Sequence, residues 1–171
     1  MTPAHIAADM GHSECLKMII KYGNEPIDLD LPWGDEPGDT PAHCALRNKN
    51  IECLKVLANA NPIFVSIQGS KGRTPAHLAA ADEDGDPESL IVLAGAHVDL
   101  TIADNNGKTP AHYAAENGNY ECISVLHDAG VDLDVADNNG NTPAHMAALH
   151  NHREFLLELH NAGVDLDKKK N

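Results

Sequence analysis

Thr109-Pro110-Ala111-His112-Tyr113-Ala114-Ala115-Glu116-Asn117-Gly118-Asn119-Tyr120-Glu121-Cys122 is the stretch whose reading decides the fold. Thr109 suits a helix N-cap, and Pro110 fills the first helical position, where the backbone N–H has no partner in any case. Ala111, Ala114 and Ala115 are strong helix formers, small enough to let a neighbouring helix come close. Gly118-Asn119 breaks the pattern. Cys122, Ile123, Val125 and Leu126 then form the apolar stripe of a second helix, from about Tyr120 to Ala129. Gly130 suits a left-handed helix end, Val131 and Leu133 lead outward in an extended segment, and Asp137-Asn138-Asn139-Gly140 turns the chain back toward Thr142. The unit is helix, turn, helix, hairpin.

The tetrapeptide Thr-Pro-Ala-His opens five such units, at Thr2, Thr40, Thr74, Thr109 and Thr142. A recurring period in the mid-thirties predicts a stacked array in which no unit buries its apolar face alone. The expected fold is an all-α repeat solenoid of paired antiparallel helices with projecting β-hairpin loops. Residues 1–167 read as one domain whose first unit lacks its leading hairpin, and Lys168-Lys169-Lys170-Asn171 as a basic tail or a chain end. The interval after Thr2 is the longest, and its extra residues fall around Leu31-Pro32-Trp33-Gly34. The third unit departs most. Its interhelical turn, Ala81-Asp82-Glu83-Asp84-Gly85-Asp86-Pro87, is about two residues longer than its equivalents. His97 stands where later units have Gly130 and Gly163, and Gly69 replaces the turn Asp.

The T-P-x-H motif, followed by two Ala, a Gly, an apolar second helix and a D-x-x-G turn, resembles the ankyrin repeat over essentially the whole chain. The usual Leu of T-P-L-H is Ala in all five copies, which either brings adjacent helices closer or leaves slack. The resemblance implies protein–protein interaction on a concave face made of hairpin tips and first helices. It also implies a structural role for His5, His43, His77, His112 and His145, each bridging its helix start to the neighbouring repeat by hydrogen bonds. A His three residues after a Thr cap is placed to satisfy a free backbone group there. Some family members are hydroxylated on a hairpin Asn; the matching positions here are Thr101 and Asp134, so that property does not carry over.

A net charge of −14 argues against nucleic acid, which needs a basic footprint, and favours a basic protein partner. No apolar stretch is long enough to cross a bilayer, and the N-terminus lacks a secretory pattern, so no membrane insertion is expected. Cys15, Cys53 and Cys122 share one repeat position and Cys44 fills another apolar slot. They read as small buried hydrophobes in a reducing compartment, cytoplasmic by preference, with the nucleus or a host cytosol as alternatives.

Chemistry is sparse. There is no glycine-rich phosphate loop, nucleophile elbow or H-E-x-x-H, so the chain does not read as an enzyme and calls for no cofactor. His150-Asn151-His152 is the only close histidine pair, and no neighbouring Cys or His completes a metal set. Asp82-Glu83-Asp84-Gly85-Asp86 has some likeness to a calcium loop. Leu93 falls where the twelfth-position Glu belongs, so the segment reads as a solvated turn with Asp86 capping a helix from Pro87.

Mapped onto the family's concave surface, the partner-facing positions are Trp33, Glu36, Arg47, Asn48, Lys71, Arg73, Asp82, Asn105, Glu116 and Leu149. Trp33 either folds over the first repeat or is offered to a partner. Arg47 either pairs with a nearby carboxylate or meets an acidic group of the partner, and Leu149 either packs on the adjacent helix or contacts the partner. The first three repeats, with their varied tips, are the expected seat of specificity. Three functions follow: a binding module for a protein partner; the substrate-targeting part of a larger enzyme or a host-directed bacterial effector; or a structural spacer or self-associating array. A monomer is expected, with end-to-end association as the alternative.

Overall fold

The computed structural model describes residues 2–23, 38–82, 84–85, 87–167 and 169. Five helix pairs follow one another: α1 (Pro3–Asp9) with α2 (Ser13–Tyr22), α3 (Pro41–Arg47) with α4 (Ile51–Ala60), α5 (Pro75–Ala80) with α6 (Glu88–Gly95), α7 (Pro110–Asn117) with α8 (Glu121–Asp128), and α9 (Pro143–Leu149) with α10 (Arg153–Asn161). Two short 3-10 turns, Pro62–Val65 and Ser70–Gly72, lie between α4 and α5. Each first helix packs on the next first helix and each second helix on the next second helix. Their buried faces join in one apolar core, from Ala4 and Leu16 at one end to Phe155 and Leu159 at the other. Ala4, Ala42, Ala76 and Ala111 are all at most 1% exposed, so the small residue at this position brings the helices close and leaves no slack.

Every first helix starts at the Pro of its tetrapeptide, behind a Thr held extended with φ close to −90° and ψ between 163° and 169°. The backbone N–H of that Thr donates to Nδ1 of the His three residues on, at 3.3, 3.2, 2.9, 3.1 and 3.3 Å in the five units. This forms a reciprocal capping box with His in place of the usual Glu or Gln. A ring nitrogen that accepts from N–H carries no proton, so the proton of the neutral ring is on Nε2. Nε2 then donates to a backbone carbonyl of the following unit: His5 to Asp39 at 3.0 Å, His43 to Arg73 at 3.0 Å, His77 to Lys108 at 2.9 Å and His112 to Asn141 at 3.0 Å. Four of the five rings thus bridge their own helix start to the next unit. His145 keeps the bond to its own Thr142, and no following carbonyl meets its Nε2 among the described residues.

Two further sets of bonds tie the units together. Asn50 Nδ2 donates to the carbonyls of Ala8 and Asp9, both at 2.8 Å, and Asn119 Nδ2 to those of Ala80 and Asp82 at 2.8 and 2.7 Å. His152 Nε2, at the same repeat position, donates to Glu116 O at 3.1 Å. Each reaches back to the end of the preceding first helix, where carbonyls lack intrahelical partners. At the tips, Asn105 N–H donates to Lys71 O at 3.0 Å and Asn138 N–H to Asn106 O at 2.9 Å.

Several expectations need adjusting. The described tips are closed turns, not β-hairpins: Gly69, Asp104 and Asp137 N–H donate to Arg73, Lys108 and Asn141 O at 2.6, 2.8 and 2.7 Å, and no ladder extends beyond them among the described residues. The arms are too short to carry one. Cys15 is exposed, unlike Cys53 and Cys122. Cys53 lies under the preceding unit, with Sγ 3.7 Å from Ala7 O. The sixth helix begins at Glu88 with Pro87 at its N-cap, one residue later than expected, and Asp86 lies outside the described residues.

Gly69 is required by close approach. A Cβ there would come within 2.7 Å of Gly38 O and 2.8 Å of His43 Nε2. His97 takes the left-handed helix end (φ 57°) that Gly130 and Gly163 take in their units (φ 75° and 84°). A β-carbon is strained in that region, so His97→Gly is expected to raise the urea midpoint, by up to about 1 kcal/mol in stability. His112→Ala removes a fully buried ring and strands both Thr109 N–H and Asn141 C=O, at an expected cost of about 2–4 kcal/mol. His145→Ala, which breaks the local bond only, is expected to cost about 1 kcal/mol in the same denaturation series.

Candidate protein-interaction surface

The tips and the C-terminal ends of the first helices carry side chains that reach solvent. Seven residues after each capping Thr stand Asp9, Arg47, Ala81, Glu116 and Leu149, one per unit and no two alike. On the same helices lie repeated elements that are buried in the second to fourth units, the Thr and His rows and the Ala five residues after each Thr. Leu149 is 75% exposed, which removes the reading in which it packs on the adjacent helix.

The other predicted positions are drawn partly into the array's own contacts. Arg47 forms an ion pair with Asp39, a buried tip carboxylate, and Asn48 Nδ2 donates to Asp9 Oδ1 at 2.7 Å and to Cys44 O at 3.1 Å. Asp82 meets Lys49 of the second unit at 2.8 Å, and Lys49 also pairs with Asp84. An ammonium thus sits on the carboxylates of the segment that had some likeness to a calcium loop, and their hydrogen bonds raise its pKa. Glu116 holds Lys108 at 2.9 Å. Asn105 and Lys71 are exposed at neighbouring tips, while Arg73 is half-buried with Nε 3.5 Å from Ser70 O. Trp33 and Glu36 lie outside the described residues.

Sequence reasoning read the D-x-x-G segments as turns, but not that their carboxylates are buried and organise the tips. Asp39, Asp104 and Asp137 are buried. Asp104 Oδ1 accepts from the N–H of Asn106 and Lys108 at 2.8 and 2.9 Å, and Oδ2 accepts from Tyr113 Oη at 2.9 Å. Asp137 Oδ1 accepts from Asn139 and Asn141 N–H at 2.9 and 2.8 Å. Burial pushes both carboxyls up, and the hydrogen bonds more than offset it, so each is held below the usual carboxylate value. Burial, with the Asp104 bond, pushes the Tyr113 phenol up to about 12. Burial likewise pushes the Cys44 thiol up to about 11, leaving it protonated and unreactive. The recurrence of Asp-x-x-Gly was the available signal for the tip carboxylates.

Between the second and third units a cleft of about 390 Å³ opens, lined by Leu46, Arg47, Lys49, Leu78, Asp82 and Ser89 among others. Ser89 stands where other units bury Cys53, Cys122 or Phe155, and the α3–α5 contact is the sparsest between successive first helices. The smaller side chain and the lengthened turn together leave this opening. His150 and His152 stack with ring centroids 6.1 Å apart, and Nε2 of His152 is committed to Glu116 O. Among the described residues no group of three or more His, Cys, Asp or Glu is disposed to hold a metal ion, and no helix is long and apolar enough to cross a membrane.

The family model for ankyrin repeats (three copies) matches residues 1–64 and 76–170. The chain belongs to the ankyrin-repeat family. Among curated proteins, the ankyrin array is 33% identical over 116 residues to mouse nuclear factor NF-kappa-B p105 subunit, covering 67% of this chain and 12% of that protein. It is 33% identical over 115 residues to the target of rapamycin complex 2 subunit AVO2 of Saccharomyces cerevisiae, covering 67% of this chain and 26% of that protein. With mouse Rabankyrin-5 it shares 26% identity over 118 residues, covering 69% of this chain and 10% of the relative. The array thus spans between a tenth and about a quarter of the length of these relatives. Ankyrin repeats are generally protein-interaction modules, in line with a surface that varies over a repeated scaffold.

The clamping rings give the array a pH dependence. Burial holds His43, His77 and His112 below the ordinary histidine value, and outweighs the carbonyl bonds and the nearby Asp39, Asp104 and Asp137 charges that favour protonation. Above about pH 6.5 these rings are neutral in both folded and unfolded chains, and their contribution is complete. As the pH falls below that value, the unfolded chain takes up protons that the folded array refuses, and stability falls. The slope approaches about 1.4 kcal/mol per pH unit for each ring. Urea midpoints measured from pH 7.5 to 5 are expected to fall on acidification, and His112→Gln is expected to flatten that fall.

Proposed function

We propose that this array is a protein-binding module that holds its partner on the face made by the turn tips and first helices, the concave face of ankyrin arrays. The observation that carries this is the contrast within each first helix. The cap and the positions one, two, three and five after it are Thr, Pro, Ala, His and Ala in every unit, while the position seven after the cap changes from Asp9 to Arg47, Ala81, Glu116 and Leu149. A purely load-carrying spacer has no need of such a row. The reading is of a module that binds and does not catalyse, as ankyrin repeats are generally interaction modules. Its charge of −14 favours a partner with basic surface, and the free cysteines, three of them buried, suit a reducing, cytoplasmic location. A second reading, service as the targeting part of a larger protein, draws support from the relatives, of which the array matches only a minor part.

Leu149 is the anchor to test first, because an apolar side chain so exposed on a polar face gains from being covered. Leu149→Glu is expected to weaken retention of the captured partner by about tenfold or more. Ile91→Glu, an equally drastic change at a second-helix residue that is 52% exposed, is expected to leave retention unchanged. Affinity capture with quantitative mass spectrometry reads both, and the opposite ranking would move the interface to the second helices.

A further inference from the structure

The third and fourth units carry the same tip cation in two different electrostatic settings. Lys108, the residue before Thr109, is held at 2.9 Å by Glu116, seven residues after that Thr, and the buried carboxylate of Asp104 organises the turn beside it. In the third unit the equivalent cation is Arg73, just before Thr74. The two acidic positions are Ala81 and Gly69, so the unit keeps the cation and lacks both carboxylates. Lys71 adds a second, exposed charge at the same tip. Neither Arg73 nor Lys71 forms an ion pair among the described residues, whereas Arg47, Lys49 and Lys108 all do.

The surroundings of Arg73 suit a ligand side chain. Arg47 pairs with Asp39, Asp39 Oδ1 accepts from Ser70 N–H at 3.4 Å, and Ser70 O faces Arg73 Nε at 3.5 Å, so the tip is continuous with Arg47 at the rim of the cleft. Ala81 itself lines that cleft, together with the apolar side chains of Leu46 and Leu78. A carboxylate entering over Ala81 would stand toward Arg73 as Glu116 stands toward Lys108. Guanidinium and carboxylate match in a two-point fork, a geometry an ammonium cannot offer.

We propose that the third repeat is an acceptor for an acidic side chain of the partner: an Asp or Glu that pairs with Arg73 and Lys71 over Ala81, with a neighbouring aliphatic residue seated in the cleft between Leu46 and Leu78. The inference rests on the reading of this face as the binding surface. It is compatible with the chain's overall negative charge, because beyond roughly 8–10 Å salt screens the remaining charges. The overall field would steer a basic surface toward the array while this single site selects one carboxylate.

The test is selection of random linear peptides displayed on phage against the full chain, followed by titration of the enriched peptides and hydrogen-exchange mapping. Enriched sequences are expected to place Asp or Glu beside Leu, Ile or Met and to protect the first helices and tips of the second and third units. They are expected to bind Arg73→Glu and Ala81→Glu at least about tenfold more weakly than wild type. Ala81→Glu is the informative variant, since it supplies Arg73 with an internal carboxylate as Glu116 does for Lys108; an unchanged urea midpoint will show that it folds. Peptides that bind this face but lack an acidic residue, or that bind the two variants as well as wild type, would overturn the acceptor and leave the face as the binding surface. Peptides that protect only the second helices would overturn both, and a selection that enriches nothing would overturn the acceptor.

Discussion

The array depends on one buried imidazole in each of its first four units. Its Nδ1 is fixed as an acceptor by the Thr N–H of its own helix cap, which forces the proton to Nε2 and aims it at the next unit's backbone. One side chain thereby completes a helix start and fastens two units, in a site dry enough to favour the uncharged ring. Ala at the positions around it allows the helices to approach until that reach of about 3 Å closes. The stacking of first helices and the placement of the tips follow from this contact. Stability is accordingly a sum of units and interfaces, with the second–third interface the most open.

Much of this was legible in the sequence because repetition turns one unit into five readings of the same unit. The helix pairs follow from register, and the bridging role of the rings was implied by the resemblance to the ankyrin repeat. The inter-unit reach of Asn50 and Asn119 was equally present in the register, ten residues after each Thr. It was hidden because Asn beside a glycine or a turn is ordinarily read as a local turn residue. The exposure of Cys15 escaped for a different reason: periodicity assigns equal burial to equivalent positions, whereas burial depends on the neighbour that covers them.

The surface was less legible than the scaffold. Composition identifies Arg47, Asn48, Asp82 and Glu116 as polar residues on an accessible face, but not that each is engaged by Asp39, Asp9, Lys49 or Lys108. Such contacts, within a unit or between two, depend on side-chain reach, which a one-dimensional pattern does not encode. Among the described residues, Leu149 is the most exposed large apolar side chain, and Arg73 and Lys71 are tip cations without an ion pair.

The bond that fastens the units also leaves recognition free to change. The rings donate to the main-chain carbonyls of Asp39, Arg73, Lys108 and Asn141, four residues with four different side chains. The acceptor is a feature common to every amino acid, so the fastening places no demand on what that residue displays. Stability and specificity therefore share a position without competing for it. A lineage of such arrays can revise its tip side chains, or duplicate a whole unit, and inherit an intact joint each time.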